Sequence, residues 1–125
     1  MEKNMEKIEN AKITNVSLSM EDHGCLTFWL TLEGHYWGCG YGGFVIGHGY
    51  LGAETFTAEN GGGLVAMMKI MDTVGVSHWE NLEGKLVRVK AAGTCGTRIT
   101  TIGNIIEDKW FDIDEFFANY AKEER

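Results

Sequence analysis

The stretch EDHGCLTFWLTL, which spans Glu21–Leu32, predicts a tight turn followed by the clearest β-strand in the chain. Every second residue of this strand is a large apolar side chain: Leu26, Phe28, Leu30 and Leu32. A period of two over Cys25–Leu32 is typical of a strand with one face in a core. Asp22 and Gly24 favour a hairpin turn. The alternative, a ligand bound near this turn, remains because carboxylates and the imidazole of His23 stand side by side there.

The totals indicate one domain over residues 1–125 with its own hydrophobic core. The chain has 125 residues, 44% hydrophobic and 23% charged, with 17 glycines and no proline. This length buries a core without a disulfide or metal staple. The net charge of −7 argues against a binder of DNA or RNA, which needs a basic face, although it leaves room for a small anionic ligand.

The cysteines and the N-terminus predict a cytoplasmic protein with reduced thiols. The three cysteines form no CxxC pair, and five of the first ten residues are charged. We therefore expect no signal peptide and no membrane-spanning segment.

The remaining elements follow from periodicity and turn chemistry. Further strands are expected at Ile8–Met20 with a bulge near Thr14–Asn15, and at Tyr36–Ile46, Lys85–Lys90 and Arg98–Ile106. Helices are expected at 64–74 before Gly75, from the Ser77 capping box to Gly84, and from Asp112 onward. Because strands and helices are segregated, we predict an α+β fold: an antiparallel sheet with helices packed on one side.

Four finer expectations concern glycines, a turn and an apolar stripe. The glycines of 42–52 predict a long loop that holds Phe44 and His48. The glycines that alternate with Trp37, Cys39 and Tyr41 predict a strand whose bare backbone admits another chain, a ligand or an aromatic ring. Residues 93–97 predict a turn. The buried face of the first helix is expected to carry Leu64, Met67, Met68, Met71 and Val74.

Thiol catalysis and metal binding find little support in the sequence. Cys25 lies two residues from His23, but a thiol nucleophile also needs a base oriented by a third group. His23, His35 and His48 follow three successive turns, yet no pair has the HxxxH spacing of a helical metal site. We therefore predict no catalytic residues, no metal and no cofactor.

Nucleotide binding and self-assembly are better supported. Arg88 and Arg98 lie on strands that we expect to be neighbours, with Lys90 close by, and arginine grips phosphate through two N–H groups. These arginines are either paired with carboxylates or held for an anion, and the sequence leaves both open. Strands with apolar residues on both faces also suggest a symmetric oligomer.

Five segments together resemble a family of small phage and prophage proteins, the Thoeris anti-defence sponges. The segments, which cover much of the chain, are EDHGCLTFWL (Glu21–Leu30), YGGF (Tyr41–Phe44), IMDTVGVSHWE (Ile70–Glu80), GKLVRV (Gly84–Val89) and IGNIIEDKWFD (Ile102–Asp112).

The resemblance implies a protein that is not an enzyme and that works in the cytosol of an infected host cell. Such sponges form symmetric oligomers, from dimers up to hexamers. They bind the glycocyclic ADP-ribose signal made by bacterial TIR proteins and sequester it without cleavage, and some members hold cyclic oligonucleotides in a separate pocket. The resemblance implies neither a nucleic-acid polymer nor a membrane as partner.

The resemblance suggests six ligand-binding residues, five within these segments and Arg98, which lies between the last two of them. Trp79 is expected to stack on adenine, and Arg88 and Arg98 to hold the diphosphate. The His23–Gly24 turn and Phe44 are expected to close this pocket or to line a second one.

Two rival functions remain. An acidic inhibitor of a host defence protein would use the carboxylates of residues 107–115, which otherwise cap and solvate the last helix. A small nucleotide-degrading enzyme is the other rival, although the sequence contains no catalytic constellation to support it.

Overall fold

The computed structural model describes residues 7–49, 51–59, 61–91 and 98–123. The elements in these residues are β1 Lys7–Asp22, β2 Cys25–Gly34, β3 Trp37–His48, β4 Thr57–Ala58, α1 Gly62–Val74, a 3-10 turn at Trp79–Leu82, β5 Leu86–Ala91, β6 Thr101–Asn104, β7 Trp110–Asp112 and α2 Ile113–Glu123. The strands form one antiparallel sheet in the order β4-β3-β2-β1-β5-β6-β7. The predicted α+β class with an antiparallel sheet is confirmed.

The β1–β2 hairpin has the predicted turn and the predicted bulge. His23 and Gly24 have positive φ angles of 56° and 78°, as a two-residue turn of the type common in hairpins requires. The pairing of β1 with β2 shifts between Ile13 and Asn15. This shift lets Ile13 and Val16 face the same side of the sheet although they lie three residues apart.

One face of the sheet, the inner face, carries the hydrophobic core. Fully buried side chains on the strands of this face are Ile13, Phe28, Leu30, Leu32, Val87, Val89 and Ile102. Each side chain of this kind stabilises the fold by about 1.5–3 kcal/mol.

Both helices lie against this inner face. The Asn104 side-chain amide donates to the carbonyls of Thr73 and Val74 at the end of α1, at 3.0 and 3.2 Å. Phe116 of α2 contacts Phe111 of β7 with ring centroids 5.6 Å apart. The opposite, outer face of the sheet is left without a helix among the described residues.

Tyr41 shows that the sheet curls strongly over its core. This β3 residue is 1% exposed, and its hydroxyl donates to the carbonyls of Thr100 and Phe111 at 3.0 and 3.3 Å. Three strands separate β3 from β6 in the sheet order, so the two halves of the sheet must bend toward each other. Burial, followed by the nearby Asp112 carboxylate, raises the pKa of the Tyr41 phenol.

The predicted long glycine loop is wrong over most of its length, because β3 continues through Phe44 to His48. Gly42 and Gly43 have φ angles of 116° and 83°, and the pairing with β2 is irregular in this region. The glycines therefore form an irregularity within a strand rather than a loop.

The predicted buried stripe of α1 is wrong in part, because Leu64 and Met68 are 54% and 67% exposed. The buried residues of the helix are Gly62, Gly63, Ala66, Met67, Ile70 and Thr73. The helix turns its small residues toward the sheet, since Gly63 lies so close to Ile46 that a Cβ at position 63 would come within 2.0 Å of that side chain.

The later elements are shorter than predicted. The strand expected to run to Ile106 ends at Asn104, whose side-chain oxygen accepts the N–H groups of Ile106 and Glu107 at 2.9 and 2.8 Å. The helix expected from Ser77 is a single 3-10 turn without a side-chain cap. Asp112 caps α2 as expected, because it accepts the Glu115 N–H at 3.0 Å. The predicted turn at 93–97 lies outside the described residues.

Candidate functional site

Two tryptophans on the outer face lie directly on glycine backbone. A Cβ at Gly103 of β6 would come within 2.3 Å of the Trp110 ring. Across the sheet, Cβ atoms at Gly40 and Gly43 would come within 2.9 and 2.4 Å of the Trp29 ring. The predicted close approach of an aromatic ring to the bare β3 backbone is confirmed at Trp29.

Trp110 is surrounded by charged side chains. The Arg88 Cζ and the Lys90 Nζ lie 4.5 and 4.6 Å from its ring centroid. The indole Nε1 donates to Asp108 Oδ1 at 2.8 Å. We call the group of Trp110, Arg88 and Lys90 over Gly103 the Trp110 platform.

The strand register explains how the platform forms. Val87 and Val89 point into the core, so the alternate residues Arg88 and Lys90 project from the outer face, as predicted. Arg88 is paired with Gly103, and Gly103 is paired with Trp110. Because Gly103 has no side chain, the indole reaches across β6 toward β5.

The guanidinium of Arg88 is held in place. Its Nε and Nη2 donate to the carbonyls of Asn104 and Glu107, both at 2.7 Å. These bonds use two of the five N–H groups of the guanidinium. Arg88 therefore binds carbonyls and an aromatic ring, and its charge is not paired with a carboxylate in any of these contacts.

Arg98, in contrast, is paired with a carboxylate. Its Nη1 donates to Asp114 in the first turn of α2, and both side chains are about half exposed. This hydrogen bond raises the pKa of the Arg98 guanidinium. The structure thus places the two arginines in different settings, one on the outer face and one beside the start of α2.

Trp79 and Phe44 lie on the inner side of the sheet. The Trp79 ring meets Phe28 edge to face, with centroids 5.9 Å apart, and its buried Nε1 has no hydrogen-bond partner in the described part of the chain. The Phe44 ring stacks on Phe117 of α2 at 4.2 Å. Because the sheet separates these residues from Arg88, one pocket within one protomer does not combine all three.

The His23–Gly24 turn lies beside the end of β3. The Gly24 carbonyl accepts the Gly49 N–H at 2.8 Å. The neighbouring Cys25 Sγ lies 3.8 Å from Nδ1 of His48, and Nε2 of His48 binds Glu59. The sequence places Cys25 near His23, but it does not reveal this contact with His48 across the strand pair.

A polar cleft of about 460 Å³ lies between the end of α1 and the start of β5. The charged residues of its lining include the carboxylates Glu80 and Glu83 and the ammonium of Lys85. With more negative than positive side chains, this cleft is a poor site for an anionic ligand.

Trp110 is the one residue of the platform for which the sequence predicts no role. The alternation of Arg88 and Lys90 with two valines predicts that both cations lie on one face. Nothing in the local sequence, in contrast, indicates that β7 lies two strands away from them in the sheet.

Among the described residues, no group of His, Cys, Asp and Glu side chains is arranged so that it could hold a metal ion. Neither helix of the described chain is long and apolar enough to cross a membrane. Comparison with known protein families, curated proteins and solved structures finds no match to this chain.

Proposed function

We propose that the protein binds and sequesters a small cyclic nucleotide immune signal without cleaving it. The ligand is glycocyclic ADP-ribose or a cyclic oligonucleotide, and the setting is the cytosol of an infected host cell. The five segments that resemble anti-defence sponges support this proposal. The observation that carries it is the Trp110 platform, where two cations lie within 4.6 Å of one ring centroid in a chain of net charge −7.

The platform has the chemistry that a nucleotide requires. A purine stacks on an indole or on a guanidinium plane, and each stacked base contributes about 1–3 kcal/mol. Arg88 and Lys90 meet the charge of the phosphates, and the two bonds to backbone carbonyls hold the guanidinium in position before the ligand arrives. This preorganisation lowers the entropic cost of binding, because the guanidinium does not have to be ordered by the ligand.

A platform on one protomer does not supply the affinity of a sponge. Nanomolar binding corresponds to about −12 kcal/mol. Two hydrogen bonds to charged groups, at about 1.5–3 kcal/mol each, and one stacked base fall short of this value. The proposal therefore includes a symmetric oligomer, between a dimer and a hexamer, in which a second protomer encloses the ligand.

The outer face has apolar side chains that suit such an enclosure. Ile8 and Leu86 project from it and are 53% and 56% exposed. In this arrangement, Trp79 and Phe44 contact a ligand bound at the Trp110 platform only if they belong to the other protomer. The Arg98–Asp114 pair and the His23–Gly24 turn remain proposed contacts at the rim of the pocket or in a second pocket.

The test is incubation of the protein with a nucleotide extract from an active TIR enzyme, followed by filtration, heat denaturation and chromatography. We expect the signal to disappear from the filtrate and to return intact after heating. A signal that stays in the filtrate rejects nucleotide binding, and a signal that returns altered shows cleavage. Light scattering of the same sample tests the oligomer, and a monomer that still binds with nanomolar affinity rejects the enclosed pocket.

A further inference from the structure

A cysteine, a histidine and a glutamate form a line at the end of the sheet that is remote from the Trp110 platform. The Cys25 Sγ lies 3.8 Å from Nδ1 of His48. The opposite ring nitrogen of His48, Nε2, binds the Glu59 carboxylate. A thiol, an imidazole and a carboxylate in this order are the components of a nucleophile, its base and the group that orients the base.

The backbone holds each member of this line. Cys25 and His48 are directly paired across β2 and β3, and His48 is also paired with Thr57 of β4. Glu59 follows β4, and its N–H donates to the Ile46 carbonyl at 3.1 Å. The three side chains therefore come from a paired strand ladder and not from independent loops.

The carboxylate determines which ring nitrogen of His48 accepts a proton. Because Glu59 accepts a hydrogen bond from Nε2, the neutral imidazole carries its proton there and presents the lone pair of Nδ1 to the Cys25 thiol. When the thiol proton moves to Nδ1, the same carboxylate stabilises the imidazolium that forms. The geometry thus suits transfer of a proton from sulfur to nitrogen.

Cys39 is a comparison thiol within the same chain. It is paired with Leu32 on the inner face of the sheet, and both Cys25 and Cys39 are free and partly buried. Burial raises the pKa of the Cys39 thiol, which disfavours its thiolate. The structure gives a histidine partner to Cys25, and among the described residues none is found for Cys39.

The environment of the line admits a small molecule. The side chains of His48 and Glu59 are 51% and 42% exposed. The ring of Phe56, itself 60% exposed, lies against Gly49, where a Cβ would come within 2.3 Å of it. An apolar ring against the residue that follows His48 favours a substrate with a small apolar acyl group.

We infer that Cys25, His48 and Glu59 form a second site, an activated thiol that takes small activated esters. Cys25 Sγ bonds to the carbonyl carbon while its proton passes to His48 Nδ1. The bond from that carbon to the leaving oxygen then breaks, and His48 returns the proton to this oxygen. The product is a thioester on Cys25, and water hydrolyses it to the free acid and the original thiol. This inference does not depend on the proposed nucleotide function.

The test uses the full chain with Cys95→Ser in every variant and p-nitrophenyl acetate as the probe. Release of p-nitrophenolate gives the rate, and peptide mass spectrometry locates the acetyl group. At pH 7 we expect acetylation of Cys25 to exceed that of Cys39 by at least about 10-fold, since a positioned general base contributes about 10²–10⁴-fold. Cys25→Ser is expected to abolish the fast release, and Cys39→Ser to leave it unchanged.

His48→Gln and Glu59→Gln separate the two supporting roles. Both variants are expected to slow acetylation of Cys25 to the rate of Cys39, because the first removes the base and the second removes the carboxylate that orients it. Glu59→Asp is expected to restore part of the rate lost in Glu59→Gln, which a merely structural role would not produce. Melting curves confirm that each variant is folded. Equal acetylation of Cys25 and Cys39 in the otherwise unaltered folded protein overturns the inference, whatever the variants show.

Discussion

Trp29 and Trp110 pack in the same way in two parts of the outer face, but only Trp110 has cationic side chains next to its ring. Each indole lies on glycine backbone that leaves no room for a Cβ. The residue opposite Trp29 on β1 is Ser17, whereas Trp110 has Arg88 and Lys90 within 4.6 Å of its ring centroid. The contrast shows that glycine under an indole is a means of packing, and that the neighbouring strand decides whether the ring also has cations beside it.

The largest expected effect is on ligand binding. Trp110→Ala is expected to weaken binding of the TIR-derived nucleotide by about 100-fold, because the stacking surface and the cation–π contacts are lost together. Trp29→Ala, the matched control, is expected to change affinity by less than about threefold. Calorimetry on both variants measures the contrast, and an equal loss in both would mean that the platform is not the site.

Next in size is the cost of adding a methyl group under an indole. Gly43→Ala introduces a Cβ within 2.4 Å of the Trp29 ring, at a φ of 83°. Gly52→Ala has the same backbone strain, at a φ of 87°, but meets nothing within 4 Å. We expect Gly43→Ala to lower the free energy of unfolding by about 2 kcal/mol more than Gly52→Ala, because overpacking typically costs about 1–3 kcal/mol. Denaturant titrations measure this difference.

A double variant identifies the cause of that difference. In a Trp29→Ala background the methyl group at position 43 no longer meets the ring, so the excess cost of Gly43→Ala over Gly52→Ala is expected to vanish. An excess that persists would mean that contact with the Trp29 ring is not the cause of the cost.

Tyr41→Phe is expected to lower the free energy of unfolding by about 1 kcal/mol at pH 7, since the phenol donates to the carbonyls of Thr100 and Phe111. The folded state keeps this phenol neutral because burial and Asp112 raise its pKa, whereas the unfolded chain ionises it near its ordinary pKa of about 10. The stability due to the neutral phenol is therefore complete below about pH 10 and falls by about 1.4 kcal/mol per pH unit above it.

The phenylalanine variant has no group at position 41 to ionise. Its stability is thus expected to fall less steeply than that of the unaltered protein between about pH 10 and 11. Parallel slopes in urea titrations over this range would contradict the assignment of the raised pKa to Tyr41.

The smallest expected effect belongs to Arg98→Ala. Its partner Asp114 is exposed, and exposed pairs of this kind contribute about 0–1 kcal/mol. We expect a change of no more than about 4 °C in the melting temperature. We also expect a loss of affinity below about threefold, against at least about 10-fold for Arg88→Ala. A loss in Arg98→Ala as large as that in Arg88→Ala would move the site toward α2.

The sequence predicts those parts of the fold in which alternation and turn chemistry are local. Leu30 and Leu32 reveal the inner face, and His23–Gly24 reveal the hairpin. The prediction failed in β3, where glycines that signal a loop instead make space for Trp29. It also failed on α1, because the tight approach of Gly63 to Ile46 turns a different stripe toward the core than the one the methionines suggest.

The candidate site was predicted in part for the same reason. The outward projection of Arg88 and Lys90 follows from two alternating valines. Trp110 lies on a strand of three residues, Trp110–Asp112, which is too short for a periodic signal. The contact of Trp110 with Arg88 depends on the pairing of β5, β6 and β7. That pairing is a property of the whole sheet and is not encoded in the local sequence.

The hydroxyl of Tyr41 also has a consequence for the order in which the chain folds. Its two hydrogen bonds join residues separated by 59 and 70 positions. Contacts at such separations require closure of a long loop and form slowly compared with the β1–β2 and β2–β3 hairpins, whose partners are near neighbours in sequence. We therefore expect the hairpins to form first, and the docking of β7 and α2 onto Tyr41 to be the later step that joins the two halves of the sheet.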